Sequence, residues 1–141
     1  QPKKEEQMES STARIYAWNT ALDIIKETPF GVGTGDANDA MVTSFREQNL
    51  NELADKNLNP HNEFLQLGVA IGLPGLLLFI FSLIFPFRKI YSTRDWLYGL
   101  FLLSVFAQFS VESMLEKQSG VIFFAFFNAF LFFSPKSSKW S

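Results

Sequence analysis

The chain divides by its hydropathy pattern into a mixed first half and a nearly unbroken apolar second half. Near the start, Ile15, Trp18, Leu22 and Ile25 recur at helical spacing, which predicts an amphipathic helix lying on another surface. Ser11 or Thr12 is placed to cap it, and Pro29 with Gly31 ends it. Pro29-Phe30-Gly31-Val32-Gly33-Thr34-Gly35-Asp36 then reads as a glycine-rich turn. Its likeness to a phosphate cradle is superficial, because it lacks a preceding strand and the P-loop lysine. A short helix is expected over 36–47, followed by a polar loop from Asn49 to Asn59 over the functional surface. Asn59 as N-cap and Pro60 at the first helical position predict a new helix with His61 in its first turn.

Three apolar runs follow. Leu67 to Phe87 carries no charged residue and matches the roughly 20 residues needed to cross a bilayer core. Trp96 to Val111 and Gly120 to Phe133 are shorter and include Ser104, Gln108, Ser110 and Asn128, so they span only if flanking residues extend them to 96–114 and 118–134. The alternative is a buried pair of core helices. Phe123, Phe124, Phe126, Phe127, Phe130, Phe132 and Phe133 make the last run apolar on every face, and so short a chain has no soluble core large enough to hide it. Gly72-Leu73-Pro74-Gly75 is expected to break or kink the first run where it enters the bilayer, since proline removes a backbone donor. The fold class is therefore all-α. Residues 1–63 are a helical segment outside the membrane, and 64–141 hold about three transmembrane helices with short loops.

Charge sets the orientation. Arg88, Lys89 and Arg94 follow the first run and Lys136 and Lys139 lie in the tail, whereas Lys117 between the later runs stands beside Glu112 and Glu116. Basic residues are retained on the cytoplasmic side, so three alternating crossings put the segment before residue 64 on the outer face. Trp96, Tyr98 and Trp140 near span ends fit interfacial positions. A net charge of -2 offers no nucleic-acid interface, and the absence of cysteine excludes disulfides and thiolate chemistry. The chain begins at Gln1 without a secretory signal pattern, so it is expected to be a piece of a longer protein.

Candidate chemistry falls on two residues. His61 is the single histidine, at the water-facing mouth of the first span, and histidine changes charge near neutrality. The positive end of a helix favours a neutral imidazole that accepts a proton, whereas the bland role is a capping histidine at the interface. With no clustered Asp, Glu or Cys ligands, a metal site is not expected. Arg14 is expected in a first helical turn, where orphan N–H groups and a guanidinium form an anion site suited to a diphosphate. Stacking on Trp18, or pairing with Glu6 or Glu9, is the alternative.

Arg14-Ile15-Tyr16-Ala17-Trp18, Pro29-Phe30-Gly31-Val32-Gly33, Pro60-His61-Asn62-Glu63-Phe64-Leu65-Gln66 and Gly72-Leu73-Pro74-Gly75, in this order, resemble the C-terminal part of the O-antigen ligase and polymerase family. The resemblance runs from about Ser11 to Phe133. It implies a multi-pass glycosyltransferase of the GT-C type in the bacterial inner membrane, with residues before about 64 in the periplasm. The upstream helices of the parent protein, and an arginine that the family carries in an earlier periplasmic segment, are absent here. Arg14 would bind the diphosphate of an undecaprenyl-diphosphate-linked glycan. His61 would activate an acceptor hydroxyl, with inversion and without a metal or other cofactor. Asn62, Glu63 and Gln66 would orient His61 or the acceptor, and Arg46, outside any matching motif, could add a positive contact. Expected partners are the lipid-linked donor, lipid A core or another hydroxyl acceptor, membrane lipids and the upstream helices. Ligation, glycan polymerisation and protein O-glycosylation remain open, as does a non-catalytic transport or scaffold role.

Overall fold

The computed structural model describes residues 10–134. Lys136, Lys139 and Trp140, and the Glu6 and Glu9 considered as partners of Arg14, lie outside the described residues. The elements are α1 (Ser10–Glu27), α2 (Ala37–Glu47), α3 (Asn51–Asp55), α4 (Glu63–Ile84), α5 (Pro86–Thr93), α6 (Trp96–Val111), a 3₁₀ turn (Met114–Glu116) and α7 (Gln118–Phe133). Among the described residues every regular element is helical, as the periodicity predicts.

Helix α1 is already formed at Ser10, so Ser11 and Thr12 lie inside it and Arg14 falls beyond the first turn. Its inward face also differs from the expected one. Ala17, Thr20, Ala21, Ile24 and Ile25 are buried, whereas Ile15, Trp18 and Leu22 point outward. The cause is close approach to α4: a Cβ added at Gly68 would lie 2.6 Å from Ile25 Cδ1. Small residues on one helix and a glycine on the other let the backbones come together, so side-chain size, not hydrophobicity, selects the face. Met41 and Phe45 of α2, Leu53 and Ala54 of α3, and Val69 complete this core. Helix α3, anchored by buried Leu53, replaces the purely polar loop expected over Asn49–Asn59.

The Gly72 break is present and sharper than a kink. Gly72 has φ 69° and ψ -176°, which interrupts α4. A straight helix would hold Phe64 and Phe79 about 22 Å apart, but their ring centroids are 6.2 Å apart, so the two arms fold back on each other. Pro74 has no N–H for the carbonyl of Ala70, and the break leaves the Val69 carbonyl and the Leu73 N–H without helical partners. The Pro29–Gly33 loop supplies all three. Val32 N–H donates to Val69 O at 2.9 Å, Gly33 N–H to Ala70 O at 2.9 Å, and Leu73 N–H donates to Pro29 O at 2.8 Å. The glycine-rich turn is thus a backbone plug for a broken helix.

After the break, the chain from Leu73 through α5 runs antiparallel to α6, and α6 runs antiparallel to α7. Leu83 packs with Val105 and Phe109, Ile90 packs with Tyr98 and Leu102, and Tyr98 OH donates to Asn128 Oδ1 at 2.7 Å. Tyr98 is therefore buried between helices instead of facing the interface. Lys89 reaches the end of α7, donating to Phe132 O and lying 4.1 Å from the Phe132 ring centroid. A cation at a helix C-terminus complements the macrodipole. Arg88, Lys89 and Arg94 accordingly share one end of the bundle, and His61 lies at the other.

The helical course Glu63–Thr93 is long and apolar enough to cross a membrane, and 28% of its most apolar window is buried, unlike the core helix of a soluble protein. Leu77, Leu78 and Phe81 here, Leu100 and Leu103 on α6, and Phe126 and Phe130 on α7 are exposed. The second helix ends at Val111, not 114, because Glu112 is extended (φ -150°, ψ 143°).

Gly72→Ala should be strongly destabilising, because a Cβ there would lie 2.3 Å from Phe30 C and 2.4 Å from Pro29 O. Strain at positive φ alone costs about 1–3 kcal/mol. Thermal unfolding in detergent should show a large fall for Gly72→Ala and almost none for Gly35→Ala, whose Cβ meets nothing within 4 Å. Equal midpoints would contradict the plug.

Candidate functional site

The helix that follows the histidine starts three residues later than the capping pattern predicts. Asn62, with extended backbone (φ -156°), is the N-cap, and its Oδ1 accepts from Leu65 N–H at 3.1 Å. His61 precedes the helix in a left-handed conformation with φ 45°. Asn59 does not cap a helix; its Oδ1 accepts the His61 N–H at 3.0 Å. Pro60 is buried, and its carbonyl accepts from Trp18 Nε1 at 2.7 Å, tying the turn to α1. Positive φ at a non-glycine residue is strained and persists only where the surroundings over-determine it. Here two polar bonds do so.

A different group faces the imidazole. His61 Nδ1 lies 3.3 Å from Glu112 Oε2. The rest of the segment is fastened to the same α6–α7 connector. Asn62 Nδ2 donates to Ser110 O at 3.1 Å, and Gln66 Nε2 to Glu116 Oε1 at 2.5 Å. Asn59 Nδ2 donates to Glu116 Oε2 at 2.7 Å, and Leu115 N–H donates to Glu63 Oε2 at 2.7 Å. Asn62, Glu63 and Gln66 thus hold the histidine turn against the connector. Glu112 and Glu116 belong to the site although no motif singles them out. Their one sequence signal is a pair of acids in the short connector between two apolar runs, on the end of the bundle that holds His61.

Arg14 and His61, far apart in sequence, line one cavity of about 360 Å³ together with Ser10, Glu52, Lys56 and Leu58. Lys56 Nζ is held 2.7 Å from Glu52 Oε1, adding a second fixed cation that the motifs do not reveal. Arg14 also borders a neighbouring groove of about 680 Å³ with Ile15, Trp18 and Val111. The cavity thus has Arg14 and the Lys56–Glu52 ion pair in its wall, an imidazole beside a carboxylate, and an apolar groove next to Arg14. Arg46 is not brought here: it lies exposed in the last turn of α2 and does not line the cavity.

Glu63 heads α4, four residues before the apolar run, and is 1% exposed. Burial pushes its carboxyl above the usual carboxylate range, the Leu115 N–H bond pulls it down, and the charge of Glu116 adds to the rise. A carboxylate inside a turn that carries other acids is costly unless it is bonded, which explains the Leu115 contact.

A family model described as O-antigen ligase matches residues 3–80, which include Arg14, the plug, the histidine turn and the helix break. Comparison with curated proteins and with solved structures gives no match.

Because the Glu63 carboxyl is raised in the folded state, its ionised form opposes folding. That cost builds as pH rises from the ordinary carboxylate range through the raised value, and is constant above it. Glu63→Gln keeps an acceptor for Leu115 N–H and removes the charge. Thermal midpoints measured against pH should show this variant more stable than the parent at neutral pH, with the difference shrinking in acid. A constant difference at all pH values would rule out the charge as the cause.

Proposed function

The chain belongs to the O-antigen ligase family, a family of membrane proteins, and from that premise we propose that it is the C-terminal part of a glycosyltransferase. The enzyme moves a glycan from undecaprenyl diphosphate to an acceptor hydroxyl, in the manner of a ligase. The observation that carries this reading is the single cavity shared by Arg14 and His61.

The mechanism follows from the groups present. A neutral His61 with its Nδ1 proton directed at Glu112 leaves Nε2 free as an acceptor. The acceptor hydroxyl gives its proton to Nε2 as its oxygen attacks the anomeric carbon. The bond from that carbon to the diphosphate oxygen breaks on the opposite face, so one displacement inverts the centre. Arg14 and Lys56 stabilise the charge that develops on the departing diphosphate, the part a divalent cation plays in other diphosphate chemistry. The groove of Ile15, Trp18 and Val111 beside Arg14 is where the carrier's apolar chain leaves toward the bilayer. Polymerisation and protein O-glycosylation use the same displacement with other acceptors.

The orientation is part of the same proposal. The His61 end of the bundle faces the periplasm and the Arg88, Lys89 and Arg94 end faces the cytoplasm of a bacterial inner membrane, with crossings from Leu73 through α5, α6 and α7. Helices α6 and α7 have 16 residues each, or about 24 Å, shorter than an average hydrocarbon core. The bilayer is met at one end by the polar connector that bears Glu112 and Glu116.

His61→Ala in the full-length protein should lower transfer by at least ~10²-fold at unchanged expression, the usual contribution of a general base. Transfer at the normal rate would exclude His61 as the base. Membrane-impermeant labels at Ser92 and Gln118 should report opposite sides of the membrane. Finding both on one side would overturn the three-crossing arrangement.

A further inference from the structure

A second cavity, of about 510 Å³, is lined by Thr34, Asn38, Glu63, Gln66, Glu116 and Lys117 among others. It shares none of its lining with the Arg14–His61 cavity, and its chemistry differs. Beside Lys117, carboxylates, amides and a hydroxyl line it in place of Arg14 and Lys56. That mixture of donors and acceptors matches the hydroxyl groups of a saccharide better than the charge of a diphosphate.

Gln66 supplies the independent sign of a ligand. It is 7% exposed, and its Oε1 is buried without a hydrogen-bond partner. The amide orientation is fixed, because exchanging O and N would set Oε1 against Glu116 Oε1, now 2.5 Å from Nε2. A buried carbonyl oxygen without a donor costs about 1–3 kcal/mol, so a group that donates to it stabilises the protein on binding. Glu63, whose Oε2 already accepts from Leu115 N–H, retains further acceptor capacity beside it. The backbone plug fixes the far wall, since Thr34 and Gly35 follow directly on Gly33, whose N–H is bonded to Ala70 O.

We infer that this cavity is a saccharide subsite, in which Gln66 Oε1 and Glu63 accept hydrogen bonds from glycan hydroxyls and Asn38 and Thr34 complete the contacts. The subsite rests on the proposed glycan transfer. It borders the histidine segment through Glu63 and Gln66, and it holds a sugar of the acceptor glycan next to the one whose hydroxyl reaches His61. The glycan of the donor carries the same hydroxyl chemistry, and kinetics separate the two sources.

The test uses the full-length enzyme in detergent with separately varied lipid-linked donor and acceptor. Asn38→Leu and Thr34→Val change exposed wall positions that take no part in holding the histidine turn. Each should raise the KM for acceptor about five- to tenfold, the loss expected for a hydrogen bond to a neutral group, with kcat and donor KM within about twofold. A rise confined to donor KM supports the saccharide subsite but assigns it to the donor glycan. Unchanged KM for both substrates in Asn38→Leu and in Thr34→Val overturns the subsite. His61→Ala run in parallel separates the two ideas: its inactivity beside unchanged KM values in the cavity variants leaves glycan transfer standing and removes only the subsite.

Discussion

A helix interrupted at the edge of a bilayer must find partners for the backbone groups it releases, because neither hydrocarbon nor a dry protein core will take them. In this chain the partner is another stretch of backbone. Pro29, Val32 and Gly33 satisfy Leu73, Val69 and Ala70 through three main-chain hydrogen bonds. Main-chain contact at this range leaves no room for side chains, and Gly31 and Gly72 face each other where any Cβ would collide. Both residues adopt positive φ, which glycine does without steric cost. Two unrelated needs, close approach and left-handed backbone, fall on the same two positions.

The functional geometry depends on that junction. Because α4 folds back at Gly72, its first arm stays with α1, α2 and α3 while its second arm joins α6 and α7. The histidine turn sits at the head of the first arm, where it meets both the helical segment and the α6–α7 connector. Trp18 holds the turn from one side through Pro60. Ser110, Leu115 and Glu116 hold it from the other. A straight α4 would carry Phe64 away from Phe79 and would part the histidine turn from the connector that bears Glu112.

The polar residues of this junction are arranged by cost. Glu63 is buried, so it takes a backbone donor; Glu116 is exposed and accepts from two amides, Asn59 and Gln66. Apart from Lys117 beside Glu116, the cations named above lie away from these acids. Arg14 and Lys56 line the cavity on the α1–α3 side, and Arg88, Lys89 and Arg94 lie at the opposite end of the bundle. Lys89 caps α7 there. The outward stripe of Ile15, Trp18 and Leu22 leaves α1 an exposed apolar face, and Ile15 and Trp18 share a groove with Val111 of α6.

Local physics is what the sequence by itself determined. Pro74 lacks a donor and Gly72 tolerates positive φ, so the break was legible from four residues. The apolar runs gave the helices, and the motif order gave the family. Contacts between distant segments are what only the tertiary structure decided. The buried face of α1 follows from the bare backbone of Gly68, a residue far along the chain, and not from the larger side chains of α1 that dominate its periodicity. The histidine turn shows the same limit: Asn59-Pro60 has the form of a helix start, yet Asn62 caps the helix because Asn59 is engaged by His61 N–H and Glu116. Glu112 and Lys56 join the site only through chain folding. Hydrogen-bond choices within a few residues are set by local geometry, whereas competition among several possible partners is settled by which distant groups the fold brings within 3 Å or so.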